Sequence, residues 1–508
     1  MIKVTDSIVS QTFEVEVLTP THIGGASENH WQKDLDFIIK DNKTWILDFK
    51  KLCTVIDSFT LANVLSRENA NQTLGNLLVS KNLETISSSR FDSTFNNSSE
   101  IKRHIFNGFD GKPYIPGSSI KGAINSILLN YFYRNSTQAF QKNNKIAEQV
   151  LGNFENSIMR FFQFTDIHFT ETFLINTKIF NLQNSNGQGW TGGWKHSRNE
   201  TNNRFQEAGF TTVYESLQSF SKGSLMISFK RGVIERLYAE ALKNNRIKLP
   251  PVHTAAWLTK NPAEQLCQII NTHTLRFLEK EIAFFDNYNF DKNTESVLSK
   301  LNELKAKVER LKDDSKECIL RLSAGSGFHS ITGDWQYDNF IDTGENQDGR
   351  NRGKRKYKSR KLAFQTDSKG SLTFQPMGFI KLTLLDEETK LKLQHEEALK
   401  KMREAQKAEA ETKEEAERLE REKAEKEEAK KPKLFDDPLP KSKTITVDAI
   451  IAKSGKPNLV KLFVKGYENK EFPLLRYTNP LEKDTVLLVK ASTKKDGSIY
   501  EVVFEKVK

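Results

Sequence analysis

From Asp386 to Lys431 the chain runs without a single glycine or proline, and acidic and basic side chains fill it. Sixteen carboxylates and thirteen Lys/Arg lie there, many three or four residues apart, as in Glu411, Glu414 and Arg418. That spacing sets opposite charges on neighbouring turns of a helix. Leucines are too few for a heptad seam, so the stretch reads as a solvated single helix or semi-rigid spacer in preference to a coiled coil. A spacer of this kind divides what comes before it from what comes after. The 508 residues are length for about two to four domains.

The net charge of the chain is +11, and the spacer is net −3, so the remainder carries +14. A basic excess of that kind favours a polyanionic partner. One run, GRNRGKRKYKSRK at residues 349–361, holds eight Lys/Arg and no acid. No stretch approaches the length of an apolar membrane span, and the N-terminus lacks a charged head, apolar run and cleavage site. A transmembrane or secreted protein is not expected. Cys53, Cys267 and Cys318 are too scattered for a zinc motif and odd in number for a disulfide framework, as suits reduced thiols in the cytoplasm.

Before the spacer, alternating VSQTFEVEVLT puts Phe13, Val15 and Val17 on one face of a strand. LDFIIKDNKTWILDF reads as two strands about Lys40–Lys43, and a polar Ser/Asn-rich stretch continues to about residue 100. In GKPYIPGSSIKGAINSILLNYFYR, Pro116 and Gly117 form a turn, Ser118 or Ser119 can cap, and Ile120, Ile124, Ile127, Leu128 and Tyr131 make a helical stripe. Strands return over 160–228, broken by a Gly-rich excursion between Leu182 and Phe210. Helices dominate 233–320, and strands resume near Leu362 and Phe379. The order predicts an α+β fold with antiparallel sheets, not a doubly wound one. After the spacer, four or five short Lys-rich strands in 443–508 predict a compact all-β barrel of the OB or cold-shock kind.

Several motifs bear on chemistry. Ser118-Ser119-Ile120-Lys121 contains S-x-x-K, but the companion elements of penicillin-recognising enzymes are absent, and the Walker spacing fails. What remains is a helix N-terminus with two hydroxyls and a lysine, suited to a phosphate, or an ordinary capped helix. The loops His22-Ile23-Gly24-Gly25 and Gly325-Ser326-Gly327-Phe328-His329 each pair glycines that admit a ligand with a histidine, which in such loops is more often structural than catalytic. Trp190, Trp194 and Lys195 interleave aromatic and basic residues, as a base-stacking platform or as a hairpin tip held by tryptophan. Asp34 and Asp36 resemble a carboxylate pair but alternate with apolar residues at a strand entry. No metal site and no cofactor are expected.

Taken together, LTPTHIGG, PYIPGSSIKGAI, SAGSGFHSITGDW and SRKLAF…PMGFIKLTL resemble the RAMP superfamily of CRISPR-associated proteins. Their order is most similar to the Csm-type fifth subunit of type III-A complexes. The resemblance spans about residues 8–385 and implies two RRM-like (ferredoxin-like) halves, placed at 1–232 and, with a helical insertion, at 233–385. The spacer at 386–433 and the barrel at 434–508 lie beyond it. It further implies a non-catalytic, cytoplasmic RNA-binding subunit that binds and caps the 3′ part of the guide crRNA and supports its maturation. Target RNA, an adjacent backbone subunit, other Csm-type subunits and host nucleases are the partners it suggests, with no membrane. The RNA-binding residues expected are His22, Gly24, Gly25, Ser118, Ser119, Lys121, Trp190, Trp194, Lys195, Gly325, Gly327, His329, Arg350, Arg352, Lys354, Arg355 and Lys356. The competing expectation is a metal-dependent endoribonuclease using Asp34 or Asp36. For the barrel, Lys453, Lys456, Lys461, Lys465 and Lys490 with Phe463 and Tyr467 suggest weak single-stranded nucleic-acid binding.

Overall fold

The strand Val9–Val17 buries Phe13, Val15 and Val17 completely, as its alternation requires. Its half-buried face carries Glu14 and Glu16, which meet Lys222 at 2.9 Å and Lys381 at 3.4 Å on the two flanking strands. This is a computed structural model describing residues 8–25, 29–92, 99–136, 145–184, 190–197, 200–259, 261–288, 294–311, 316–322, 324–325, 343–344, 354–355, 359–366, 370–477 and 479–508. Contacts separate it into two units, Met1–Lys390 and Leu391–Lys508.

In the first unit Val9–Val17 is the centre of a five-stranded sheet ordered Glu317–Arg321, Phe379–Leu384, Val9–Val17, Lys222–Phe229, Phe162–Phe164. Every neighbouring pair is antiparallel. The helix Gly117–Asn135 lays Ile120, Ile124, Ile127 and Leu128 into the core of this sheet, while Tyr131 is only half-buried. Cys267 and Cys318 are buried in that core, where burial pushes the Cys318 thiol up; Cys53 is exposed.

The second sheet is built around the long strand Phe173–Asn184. It pairs with Trp190–Lys195 and Thr212–Ser216 along one edge and with Ser359–Thr366 along the other. Helices Pro262–Tyr288 and Glu295–Leu311 cover it through Phe284, Phe285, Leu301 and Leu304, packed with Phe180, Trp194, Phe364 and Phe374. Both sheets thus take strands from either side of residue 232.

The polar Ser/Asn-rich stretch after residue 48 is largely helical as far as Ile86. It holds helices Phe49–Val55, Ser58–Leu65, Ala70–Val79 and Leu83–Ile86 and then the strand Ser87–Asp92, with a small core of Leu52, Leu61, Leu74, Leu78 and Ile86. Each helix is short and buries only one to three residues, too few to give a clear 3.6-residue period. The hairpin before them turns at Asp41 and Asn42, both with positive φ of 55° and 56°, the backbone of a tight two-residue turn.

The helix Glu387–Lys430 runs for 44 residues, all but its first turn in the second unit. Beyond it a closed five-stranded barrel has the order Thr444–Lys453, Leu459–Leu462, Glu471–Leu475, Ile499–Val507, Val486–Thr493. Glu471–Leu475 and Ile499–Val507 pair in parallel. Val447, Val460, Leu474, Leu487 and Val502 form the barrel's core. Among the described residues no helix is long and apolar enough to cross a membrane.

Candidate nucleic-acid interface

Where Val9–Val17 ends, the chain turns through residues 18–25 and is tied down on both sides. Thr21 bridges Leu217, and the carbonyl of His22 accepts the N–H of Ala324 at 3.0 Å. The first Gly-rich loop therefore touches the start of the second, although 300 residues separate them. Gly325 is held in turn by Arg321, whose guanidinium donates to the carbonyls of Gly325 at 2.9 Å and Met377 at 2.8 Å.

His22 does not face solvent. Its ring is 2 % exposed, donates through Nδ1 to the Glu215 carbonyl at 2.7 Å, and packs against Tyr214 at 4.6 Å. Burial lowers its pKa to about 4, so it is neutral near pH 7. His104 is a second buried imidazole: Nδ1 accepts from the Ile23 N–H at 3.2 Å, and Nε2 donates to the Tyr114 carbonyl at 3.0 Å. Accepting at one nitrogen requires the neutral ring, in agreement with a pKa lowered by burial to about 3.

Glu215 completes the cluster. Its buried carboxyl accepts from Thr172 Oγ1 at 2.8 Å and from the His104 N–H at 3.1 Å, with Arg103 Nε at 3.8 Å. Desolvation pushes its pKa up to about 7. Arg103 lies over the rings of Trp31 and Phe106, at 4.6 and 5.3 Å, and Lys361 lies over Tyr214 at 4.7 Å. Around this buried hub Gly24 and Gly25 are exposed and Arg103 and Lys361 half-exposed. Open glycine backbone beside two cations can hold a phosphodiester chain without reading its bases.

The PGSSIK helix joins the hub through Tyr114 but does not present a free N-terminus. Asp166 accepts the Gly117 N–H at 2.7 Å, so the protein's own carboxylate occupies part of the anion site. Neither serine caps the helix; Ser118 is exposed and Ser119 half-exposed. A Cβ at Gly117 would stand 2.4 Å from the Phe164 carbonyl oxygen, which accounts for that glycine by packing. Lys121 donates to the Phe162 carbonyl at 3.3 Å. Burial, then the charge of Lys230, lowers its pKa.

Trp194 requires a correction. It is fully buried, against Phe374 at 4.6 Å and Phe205 at 5.2 Å, so its indole is core and cannot stack a base. The Gly-rich excursion here is the strand Trp190–Lys195, and Gly192 lets the Tyr288 carbonyl approach within 2.2 Å of where a Cβ would stand. Trp190 leans on the same core, and Lys195 lies over Phe210 at 4.9 Å.

The basic run also divides. Arg360 is 4 % exposed, forms two bonds of 3.0 and 2.8 Å with Glu281, and lies 3.9 Å over Phe284, which makes it an internal pair. Lys354 and Arg355 form a two-residue strand with Thr343–Gly344. Arg350, Arg352, Lys356, Gly327 and His329 lie outside the described residues. Asp34 and Asp36 occupy a turn, where Asp36 accepts the Gln32 N–H at 2.8 Å and Asp34 packs at Gly75. Among the described residues no three His, Cys, Asp or Glu side chains gather as a metal site. The sequence reading held Lys361 only as the end of the basic run and did not single out Arg103, His104, Tyr214 or Glu215. The one available signal was a glutamate inside the apolar strand TVYES.

The RAMP superfamily profile matches residues 14–337, a span that takes in the end of the central strand, the glycine loops and the PGSSIK helix. The chain belongs to the RAMP superfamily. Among solved structures, it resembles a chain of a Csm–crRNA–target RNA ternary complex from a type III-A CRISPR–Cas system. There the identity is 16 %, with 74 % of this chain and all of that chain covered and a TM-score of 0.48. Csm5 of T. onnurineus aligns at 15 % identity over 72 % of this chain and 99 % of its own, with a TM-score of 0.47. A type III-B Cmr-β complex bound to cognate target RNA contains a more distant match, 15 % identical over 48 % of this chain and 54 % of that one, TM-score 0.19. No curated protein gives a significant sequence match.

Proposed function

We propose that this chain is a non-catalytic RNA-binding subunit of a type III-A CRISPR effector complex, of the Csm5 kind, which binds and caps the 3′ part of the guide crRNA. The observation that carries the reading is the meeting of the two Gly-rich loops at His22 and Ala324, beside Arg103 and Lys361. Exposed glycine backbone and cations suit a guide of any sequence, which must be held by phosphate and 2′-hydroxyl. The order and identity of the motifs carry the assignment to this subunit. In this reading the spatial order Phe379–Leu384, Val9–Val17, Lys222–Phe229, Phe162–Phe164 is a ferredoxin-like sheet, and the C-terminal barrel is OB-like.

The test is copurification from the native host followed by RNA extraction and sequencing. A short, phased guide-like RNA with heterogeneous 3′ ends supports the proposal, and an absence of RNA or a random population overturns it. The non-catalytic part is tested separately, by target RNA cleavage with Mg²⁺ in complexes carrying Asp34→Ala or Asp36→Ala. Cleavage lost in either variant identifies this chain as the nuclease.

A further inference from the structure

The barrel lies outside the family match, and its surface must be read on its own chemistry. Lysines are spread over it, and two of those singled out from the sequence are already neutralised: Lys465 by Asp436 at 2.7 Å and Lys490 by Glu505 at 3.4 Å. Phe463 and Tyr467 are half-buried, and the Tyr467 hydroxyl accepts the Ile499 N–H at 3.2 Å. Three other lysines, Lys443, Lys494 and Lys495, converge on one groove of about 670 Å³. It lies between the start of the first barrel strand and the hairpin joining the fourth to the fifth. Among the described residues none of these three forms an ion pair within 4 Å, and Lys494 acts on the Asp496 carboxylate only as a nearby charge that helps lower its pKa.

The groove is pre-formed. Ser442 N–H donates to the Lys494 carbonyl at 3.0 Å and Thr493 N–H to the Lys443 carbonyl at 2.9 Å. The Thr493 hydroxyl, 4 % exposed, accepts the Lys443 N–H at 3.2 Å. Both walls are thereby stapled together. The single carboxylate in the lining, Asp496, is turned back onto Ser498 N and Oγ at 2.9 and 2.6 Å, leaving the lysines as the outward charge. Tyr500 also lines the groove and is 56 % exposed.

We propose that this groove is a binding site for a single-stranded polynucleotide, with Lys443, Lys494 and Lys495 holding phosphates and the Tyr500 ring stacking a base. One exposed ring among several cations matches a strand whose repeat is one phosphate and one base. A protein partner is disfavoured because Tyr500 is the one large apolar surface there, and protein interfaces bury an apolar, aromatic core. The proposal does not depend on the function assigned to residues 1–385.

The experiment photocrosslinks the full chain to an oligouridylate bearing 5-iodouridine and maps the attachment by mass spectrometry. A parallel oligothymidylate bearing 5-iododeoxyuridine tells an RNA from a DNA strand, and capture of either supports the site. The expected adduct lies on the peptide containing Tyr500. It disappears in Tyr500→Ser and falls roughly tenfold in the triple variant K443Q/K494Q/K495Q, which loses three phosphate contacts. Lys465→Gln, on the same barrel but already paired, leaves the yield unchanged. All these side chains are on the surface, and circular dichroism melts confirm that the variants fold. Adducts confined to residues 1–385, an unchanged yield in the triple variant, or an equal loss in Lys465→Gln would overturn the proposal. Capture of a protein at the groove without nucleic acid would overturn it too.

Discussion

Replacing Glu215 by glutamine should change the stability of the first unit in a way that depends on pH. Glu215 is 1 % exposed, and its pKa is about 7 against an ordinary 4.5. A carboxyl whose folded pKa is raised binds more protons in the folded than in the unfolded state between those values. Its contribution is therefore fully present below pH 4.5 and is lost as pH rises through 7. A shift of this size corresponds to about 3 kcal/mol when complete, with most of it incurred between pH 5 and 8. Glutamine keeps an oxygen for Thr172 and His104 and carries no charge to desolvate. The stability difference between variant and wild type should thus move in favour of the variant by about 2 kcal/mol from pH 5 to pH 8. His22 and His104, which destabilise the fold as pH drops below their ordinary 6.5, are common to both proteins and cancel. All six tryptophans lie before residue 386, so urea unfolding followed by tryptophan fluorescence reports the first unit alone. A difference that is flat with pH would refute the argument, because it would mean that Glu215 is as readily ionised in the fold as in the unfolded chain.

Trp194→Ala should cost about 3–5 kcal/mol by opening a cavity among Phe180, Phe205 and Phe374, measured by circular dichroism in urea. The RNA bound per folded molecule should stay the same. Gly117→Ala should destabilise by about 1–3 kcal/mol through its clash with the Phe164 carbonyl. Gly25→Ala has no atom within 4 Å of the new Cβ and should leave stability within about 0.5 kcal/mol while weakening guide RNA retention in pull-downs. Changing Arg350, Arg352, Lys354, Arg355 and Lys356 to serine should flatten the dependence of log affinity on log salt by roughly 0.7 for each lost contact. Arg360→Ala should instead destabilise the second sheet by about 3–5 kcal/mol, since the buried Glu281 would lose both hydrogen bonds from Arg360.

Local patterning was enough for the elements whose information is periodic. The buried face of Val9–Val17, the stripe of the PGSSIK helix, the 44-residue charged helix and the C-terminal barrel strands were all legible, because each repeats one side-chain preference over several turns or pleats. The four short helices after residue 48 were not, since each buries too few residues to show a period. The motifs marked two glycine loops that meet in the fold, but not what their side chains do there. Trp194 and Arg360 look like RNA-facing residues in the chain and are core residues in the fold, because exposure is set by the neighbours a strand acquires from far away. Likewise Arg103, His104 and Glu215 become a hub only when strands from distant parts of the sequence are packed side by side. Burial, and with it the charge state of these groups, is a property of the surroundings, and only the tertiary structure supplies those.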